Sequence, residues 1–333
     1  MSRPKICFLF CGGTIGMVRS TQTGALQPAT EAAEIIRDFP QIQRHLQLDF
    51  KMLMNIDSSN MQPRNWTEIA TKIHQLYDKY DGFVIAHGTD TMVYTATALS
   101  YMLQNLSKPV IMTGSLIPLN ELASDGRNNL IYACLTATLD IAEVCIAFAN
   151  KIIRGNRAKK FHESFIEVFN SPNYPYLGEL GRPTTLFEWR KKRRKRVLTF
   201  QPGFDTKISL LKLFPGFDPE IIDRTLDRGA RGIVIEGFGP GNMPFLENSI
   251  IPKIEKATEN GVPVIIANQM ERGITNLNVY EAGFIAARAG AISSHDMTTE
   301  ATVVKLMWAL NRTRRPSEIR KIIEKDIAGE ISL

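Results

Sequence analysis

Cys7-Phe8-Leu9-Phe10-Cys11-Gly12-Gly13-Thr14-Ile15-Gly16 and, 75 residues on, Phe83-Val84-Ile85-Ala86-His87-Gly88-Thr89-Asp90-Thr91 have the same plan: a short apolar run that stops in glycine and threonine. A continuous apolar run of this length reads as a parallel strand buried on both faces. The glycines let the chain turn tightly, and each threonine hydroxyl then emerges at the carboxyl end of a strand, where open α/β sheets bind ligands. Two threonines facing one crevice point to a hydroxyl nucleophile.

Working outward, strands and helices alternate along the whole chain. Trp66, Ile69, Ala70, Ile73, Leu76 and Tyr77 share a helix face that feeds the 83–86 strand through Asp81-Gly82. Met92, Ala96, Leu99, Leu103 and Leu106 predict the next helix, stopped before Pro109, and strands follow at 110–112 and 144–148. A second series has strands at 208–213, 233–235 and 264–267, then helices carrying Val303, Leu306, Met307 and Leu310, and, opened by Pro316-Ser317, Ile319, Ile322 and Ile323. The fold class is α/β: two α/β domains with mostly parallel sheets, since βαβ crossovers leave neighbouring strands parallel. A chain of 333 residues with 44% hydrophobic content exceeds what one core usually serves. The expected division is a larger N-terminal domain over 1–187, a basic linker over 188–206, and a smaller C-terminal domain over 207–333.

Charge is concentrated in one place. Arg190-Lys191-Lys192-Arg193-Arg194-Lys195-Arg196 is seven consecutive bases, and the net charge of +6 falls to −1 once they are set aside. Such a run is either a polyanion patch or a solvated linker; its position between two structured halves favours the linker, so nucleic acid is not an expected partner. Cys7, Cys11, Cys134 and Cys145 lie in apolar stretches without disulfide or zinc spacing and read as reduced core residues, with no metal site. The first apolar run is too short for a signal-peptide core or a membrane span, so the expected location is cytoplasmic, with no membrane partner. Gly12-Gly13-Thr14-Ile15-Gly16 fits neither phosphate-binding glycine pattern, and 21–28 reads as a mobile loop rather than a helix that would receive a pyrophosphate.

Threonine is a poor nucleophile unless a neighbouring base activates it. Asp90 has too low an ordinary pKa for that task but can orient a cation. Lys159 and Lys160, after the Arg154-Gly155-Asn156-Arg157 turn, are both candidates for a desolvated lysine base, and residue chemistry alone leaves the choice between them open.

Cys11-Gly12-Gly13-Thr14-Ile15-Gly16, Asp57-Ser58-Ser59-Asn60-Met61, His87 to Met92, Thr113-Gly114-Ser115, Ser124-Asp125-Gly126, Arg154 to Arg157, Gly239-Pro240-Gly241-Asn242 and Asp296 to Ala301 occur in the order found in the L-asparaginases. Over nearly its whole length the chain resembles that family, and most closely its cytoplasmic type I branch. The resemblance implies hydrolysis of the side-chain amide of L-asparagine to L-aspartate and ammonia, without a cofactor, in a homodimer or homotetramer. It implies that Thr14 is the nucleophile and that Thr89, Lys160 and Asp90 form a relay, Lys160 being the lysine five residues after Gly155. Asp57, Ser58 and Ser59 match the loop that holds the substrate's α-amino and α-carboxylate groups. Gly88 and Ser115 join the expected substrate-binding residues, backbone N–H groups near Thr89 and Ser115 being placed to supply an oxyanion hole, and Asn242 matches a residue that approaches the site across a subunit contact.

The chain departs from the family pattern in two places. No tyrosine lies in Thr23-Gly24-Ala25-Leu26-Gln27-Pro28, where many relatives carry one close to the nucleophile; Tyr280, before Ala282-Gly283, resembles the C-terminal tyrosine that some type I relatives use instead. Lys159, Glu236 and Met270 stand where some type I enzymes bind an allosteric asparagine, and the acidic residue removes the attraction for a carboxylate, so no such cooperativity is expected. His87 reads as a structural histidine, His162 lacks a second metal ligand, and Asp296 reads as a helix N-cap with Glu300 in the first turn. Two other functions remain: an ammonia-producing subunit of a tRNA-dependent amidotransferase, which is expected to carry an extra N-terminal domain, and a non-catalytic regulatory homologue.

Overall fold

The protein, a computed structural model, is described over residues 3–20, 22–24, 26–28 and 40–332. Its chain divides into an N-terminal unit, Met1–Ser171 with Pro175–Pro202, and a C-terminal unit, Pro172–Tyr174 with Gly203–Leu333.

The N-terminal unit is built on an eight-stranded sheet: β1 (Lys5–Gly12), β2 (Gln47–Ile56), β3 (Gly82–Ala86), β4 (Val110–Thr113), β5 (Val144–Phe148), β6 (Lys151–Arg154), β7 (Gly178–Glu179) and β8 (Thr185–Leu186). Their spatial order is β8-β7-β6-β5-β4-β3-β1-β2, parallel from β2 to β5 and antiparallel beyond. Ile6 through Cys11 are at most 1% exposed, and the 83–86 strand is fully buried, as the unbroken apolar runs require. Burying each of Ile6, Phe8, Leu9 and Phe10 contributes about 1.5 to 3 kcal/mol.

Helices α1 (Pro63–Leu76), α2 (Met92–Met102) and α3 (Gly126–Thr136) belong to the same unit. Helix α2 ends four residues before the expected Leu106, because Leu103-Gln104 pairs antiparallel with Thr199–Phe200. The expected loop over 21–28 is partly a hairpin, Met17–Arg19 pairing with Leu26–Pro28, while Thr21 and Ala25 lie outside the described residues.

Residues 188–206, expected as a linker, divide at Pro202. Arg193 donates to the carbonyls of Leu139 (2.7 Å), Ala137 (3.0 Å) and Asp81 (3.1 Å), and Arg190 donates to those of Asp140 (2.8 Å) and Phe187 (2.9 Å). Two of the seven bases thus anchor the chain to the N-terminal unit by satisfying carbonyls at the ends of α3 and β3's approach.

The C-terminal unit has a parallel sheet in the order β9 (Ile208–Lys212), β10 (Gly232–Gly237), β11 (Val264–Asn268), β12 (Ile292–Ser293). Helices α4 (Glu220–Asp227), α5 (Ile251–Glu259), α6 (Glu281–Arg288), α7 (Thr299–Leu310) and α8 (Pro316–Glu324) complete it. The N-cap of α7 is Thr298, whose side chain accepts from Ala301 N; Asp296, expected there, is buried and instead accepts from Ser332 N at 3.0 Å. Proximity to the chain end, unreadable from spacing, decides between the two. No helix among the described residues is long and apolar enough to cross a membrane.

Lys305 of α7 and Glu330 form an ion pair at 2.6 Å with both side chains fully buried. Lys305 also donates to the carbonyls of Ile323 and Lys325, and Glu330 accepts from the N–H groups of Ile327 and Ala328, so the pair pins the segment after α8. Lys305→Met alone should cost about 3 to 5 kcal/mol, because it strands a buried carboxylate, whereas Lys305→Met with Glu330→Leu should recover most of that loss. Chemical denaturation of the two variants checks both values.

Candidate active site

The sheet order places the site. From β1 the chain moves to β2 on one side and then returns to β3 on the other, so the β1/β3 boundary is the topological switch point, where open α/β sheets leave a crevice at the carboxyl ends of their strands. Thr14 follows β1 and Thr89 follows β3.

Glycine makes their approach possible. Gly13 has a φ of 91°, and a Cβ there would stand 2.3 Å from Gly88 N; a Cβ on Gly88 would stand 2.5 Å from Ser58 Oγ. Three turns therefore meet with only the Ser58 side chain between them. The third, Ser58–Asn60, is capped by Asp57, whose Oδ1 accepts from Ser59 N and Ser59 Oγ, both at 2.8 Å. Thr91 ties it to the β3 turn by donating to the Ser58 carbonyl at 2.8 Å.

Lys160 arrives from beyond the antiparallel strand β6, in a separate short hairpin in which Lys159–Lys160 pairs with Phe169–Asn170. After β6 the turn Gly155–Arg157 packs against α2, where a Cβ on Gly155 would meet Ala96 Cβ at 3.0 Å, and the short strand Lys159–Lys160 follows. Lys160 Nζ donates to Thr89 Oγ1 at 3.0 Å and to Asp90 Oδ1 at 2.5 Å. Its side chain is 19% exposed and that of Asp90 61%. Thr89 is buried, so the lysine that bonds it is largely shielded while its counter-ion remains in contact with solvent. Of the two candidate lysines, Lys160 is the one that makes this contact.

A cavity of about 180 Å³ opens here, lined by Gly13, Thr14, Asp57, Ser58, Gly88, Thr89, Asp90 and Lys160, with Met17, Leu116 and Glu163. It is smaller than the roughly 300 to 1,000 Å³ of pockets that hold drug-sized ligands, which suits a metabolite of a few heavy atoms. Three carboxylates, Asp57, Asp90 and Glu163, face one cation, Lys160, and favour a ligand that carries an ammonium group.

The other expected site residues lie elsewhere. Ser59 is exposed and directs its hydroxyl to Asp57. Ser115 is buried, its hydroxyl has no partner among the described residues, and its neighbour Leu116 lines the cavity instead. Asn242 and Tyr280 belong to the C-terminal unit: Asn242 closes the Gly239–Gly241 turn against Phe238, and Tyr280 is the N-cap of α6, 55% exposed.

Asp125 was legible only as part of a motif, without a role. Its carboxylate accepts from Leu116 N (3.0 Å), Ile117 N (3.1 Å) and Asn129 Nδ2 (2.9 Å), and Asn129 also donates to the Gly114 carbonyl at 3.0 Å. This buried network shapes the turn after β4 that delivers Leu116. Met17 and Glu163 gave no signal in the sequence, because Met17 opens a short strand within a stretch that reads as irregular and Glu163 reaches the cavity from a loop. Among the described residues, no group of three or more His, Cys, Asp or Glu side chains could hold a metal ion.

The chain matches two family models, "Asparaginase, N-terminal" over residues 5–193 and "Glutaminase/Asparaginase C-terminal domain" over residues 207–323. It belongs to the asparaginase family. It is 37% identical over 322 residues to an L-asparaginase of Thermococcus kodakarensis, covering 96% of this chain and 98% of that one. It is 38% identical over 340 residues to a subunit of the glutamyl-tRNA(Gln) amidotransferase of Pyrococcus abyssi, covering 99% of this chain and 77% of the relative. The crystal structure of L-asparaginase I from Vibrio cholerae superposes with a TM-score of 0.91 at 36% identity, covering all of both chains. The two-domain asparaginase fold and an amidohydrolase activity follow from membership.

His87, at the end of β3 in this asparaginase fold, is fully buried and bonded at both ring nitrogens. Nδ1 donates to the Gly88 carbonyl (2.7 Å), so Nε2 accepts from Thr95 Oγ1 (2.9 Å). Burial pushes its pKa down to about 4, the bond to Gly88 opposing the shift. An unfolded histidine titrates near 6.5, so between about 6.5 and about 4 the unfolded chain binds the extra proton and stability falls as pH falls. At pH 5 this group alone should cost on the order of 2 kcal/mol relative to pH 7. Urea unfolding of wild type and His87→Gln at the two pH values should show that increment in the wild type only.

Proposed function

We propose that the protein hydrolyses L-asparagine to L-aspartate and ammonia, with Thr14 as nucleophile and Thr89, Lys160 and Asp90 as the relay. The observation that carries this reading is the Lys160 ammonium bridging Thr89 Oγ1 and Asp90 Oδ1 in a small cavity that Thr14 also lines. Thr14 Oγ1 attacks the side-chain amide carbon, its proton passes to the departing nitrogen, and ammonia leaves an acyl-threonine ester. Water then attacks the ester, its proton passing through the Thr89 hydroxyl, which Lys160 and Asp90 hold in place, to the departing Thr14 oxygen, so that L-aspartate leaves and the Thr14 hydroxyl is restored. Backbone N–H groups of the β3 and β4 turns stabilise the oxyanion, a contribution worth about 10² to 10³ in kcat per donor. Asp57 and Asp90 receive the substrate's ammonium and Ser58 its carboxylate, while Ser115 acts through the turn it belongs to.

Tyr280 supplies the hydroxyl that relatives place in the loop after the nucleophile. Its 55% exposure supports this role over ordinary core packing. Leu246, Ile274, Val279 and Phe284, between 52% and 80% exposed in the C-terminal unit, support self-association as a dimer or tetramer, in which Asn242 would reach a neighbouring site. Cytoplasmic residence is supported by four free, buried cysteines; burial raises the Cys7 thiol to about 11 and the Cys134 thiol to about 12.

The Pyrococcus abyssi relative favours a second reading, in which the ammonia is made for a tRNA-dependent amidotransferase. Ammonia release from free asparagine by the purified chain alone, at a kcat of about 1 s⁻¹ or more, supports the first reading, and release only with a partner subunit supports the second.

Thr14→Ala, Thr89→Ala and Lys160→Met should each lower kcat by about 10³-fold or more while the variants still fold, measured by ammonia release and thermal melting. Rate against asparagine concentration should be hyperbolic. Glu236 accepts from Thr299 Oγ1 at 2.6 Å and so presents an occupied carboxylate where an effector's carboxylate would have to bind, and a sigmoidal curve would sink this expectation.

A further inference from the structure

We propose that the basic run of the N-terminal unit is a binding surface for single-stranded nucleic acid. The run is held on a scaffold by its backbone. Lys191 N donates to Glu143 Oε1 at 2.7 Å, Ala142 N donates to the Lys191 carbonyl at 2.7 Å, and Arg193 N donates to Asp140 Oδ1 at 2.8 Å. Glu143 is itself fixed by a buried ion pair with Arg154 at 2.5 Å, so the anchor reaches the sheet through β6.

With Arg193 and Arg190 turned onto carbonyls, and Arg190 also paired with Asp140 at 3.1 Å, the bases left to serve a groove of about 350 Å³ are Lys191, Lys192, Arg194 and Arg196, beside one acid, Glu188. Glu188 pairs with Lys192 at 2.6 Å, whereas Arg194, Lys195 and Arg196 are exposed and make no ion pair among the described residues. A solvated linker would lose its freedom on binding; here the chain is already tied down from Arg190 to Arg193, so less backbone freedom is lost, which is why the anchoring changes the expectation drawn from sequence. The remainder of the chain has a net charge of −1, so this groove is where a polyanion would be attracted.

Aromatic rings beside the groove favour nucleic acid among polyanions. Trp189, between Glu188 and Arg190, is 44% exposed and stacks on Phe187 with ring centroids 4.9 Å apart at 17°. Its Nε1 donates to the Tyr176 carbonyl at 2.7 Å and its own carbonyl accepts from Arg154, so the ring is held in place. A basic groove beside a fixed, partly exposed aromatic suits phosphates and unstacked bases together, as single strands present them.

The test measures fluorescence anisotropy of a fluorescein-labelled twelve-residue oligouridylate with the full chain in 50 to 200 mM KCl. Four phosphate contacts on a single strand, from Lys191, Lys192, Arg194 and Arg196, give a log–log salt slope of about −2.8, or about 50-fold weakening across that range. Lys192→Ala/Arg194→Ala/Arg196→Ala removes three of the four and should lower the slope to about −0.7, or about 3-fold, with asparagine hydrolysis and melting unchanged. Trp189→Ala should weaken oligouridylate binding by about 5- to 100-fold and leave binding of inorganic polyphosphate, which has no bases, unaltered. Absence of binding at 50 mM KCl, an unchanged slope in the triple variant, or equal loss of both polyanions in Trp189→Ala overturns the proposal. So does binding to phosphatidylserine vesicles without binding to the oligonucleotide.

Discussion

Backbone clearance at Gly13 and Gly88 is the constraint on which the rest of the site depends. A Cβ at Gly13 would overlap the Gly88 nitrogen, and one at Gly88 would overlap the Ser58 hydroxyl, so any side chain at these positions would separate the turns after β1 and β3. With both as glycine, Thr14, Thr89 and Ser58 line one small cavity. The strands beneath are buried on both faces and cannot slide to absorb an error, because register in such a sheet is set by close packing.

Around that contact the protein uses polar groups to fix loops rather than helices. Asp57 caps the turn that carries Ser58, Asp125 gathers the N–H groups of the turn after β4, and His87 bonds the carbonyl of Gly88 from within the core. Each is a short side chain satisfying backbone groups that a tight turn would otherwise leave unpaired, at a net contribution of about 1 kcal/mol per bond. Lys160 differs: it arrives from a separate two-stranded antiparallel hairpin and is the one long cation that lines the cavity among the described residues. Two buried ion pairs, Arg154 with Glu143 and Lys305 with Glu330, do comparable work away from the site, fixing the basic run in one unit and the end of the chain in the other.

Local errors in the sequence reading share a cause. The helix expected to run to Leu106 stops at Met102 because Leu103-Gln104 finds a strand nearly a hundred residues later, Thr199–Phe200. Asp296 has the chemistry of an N-cap but lies beside Ser332, and Thr298 takes the cap. The basic run has the composition of a solvated segment, yet Asp140, Glu143 and the carbonyls of Ala137 and Leu139 lie against it. In each case a partner distant in sequence outweighs local preference.

What the sequence determined by itself is the part governed by periodicity and by residue chemistry in short range: unbroken apolar strands, their glycine-threonine ends, the α/β class, and the motif order that marks an asparaginase. Thr14, Thr89 and Asp90 were readable because each follows a strand signal directly, and Asp57 and Ser58 only because their motif resembles the family's substrate loop. The resemblance pointed to Lys160, and the tertiary structure brings it onto Thr89; only that structure decided that Leu116 and Glu163 line the cavity while Ser115 and Ser59 do not, and that Asp125 organises the turn that delivers Leu116. Those facts depend on the direction in which a side chain leaves a loop and on contacts between residues up to 71 positions apart, and neither quantity is encoded in local spacing.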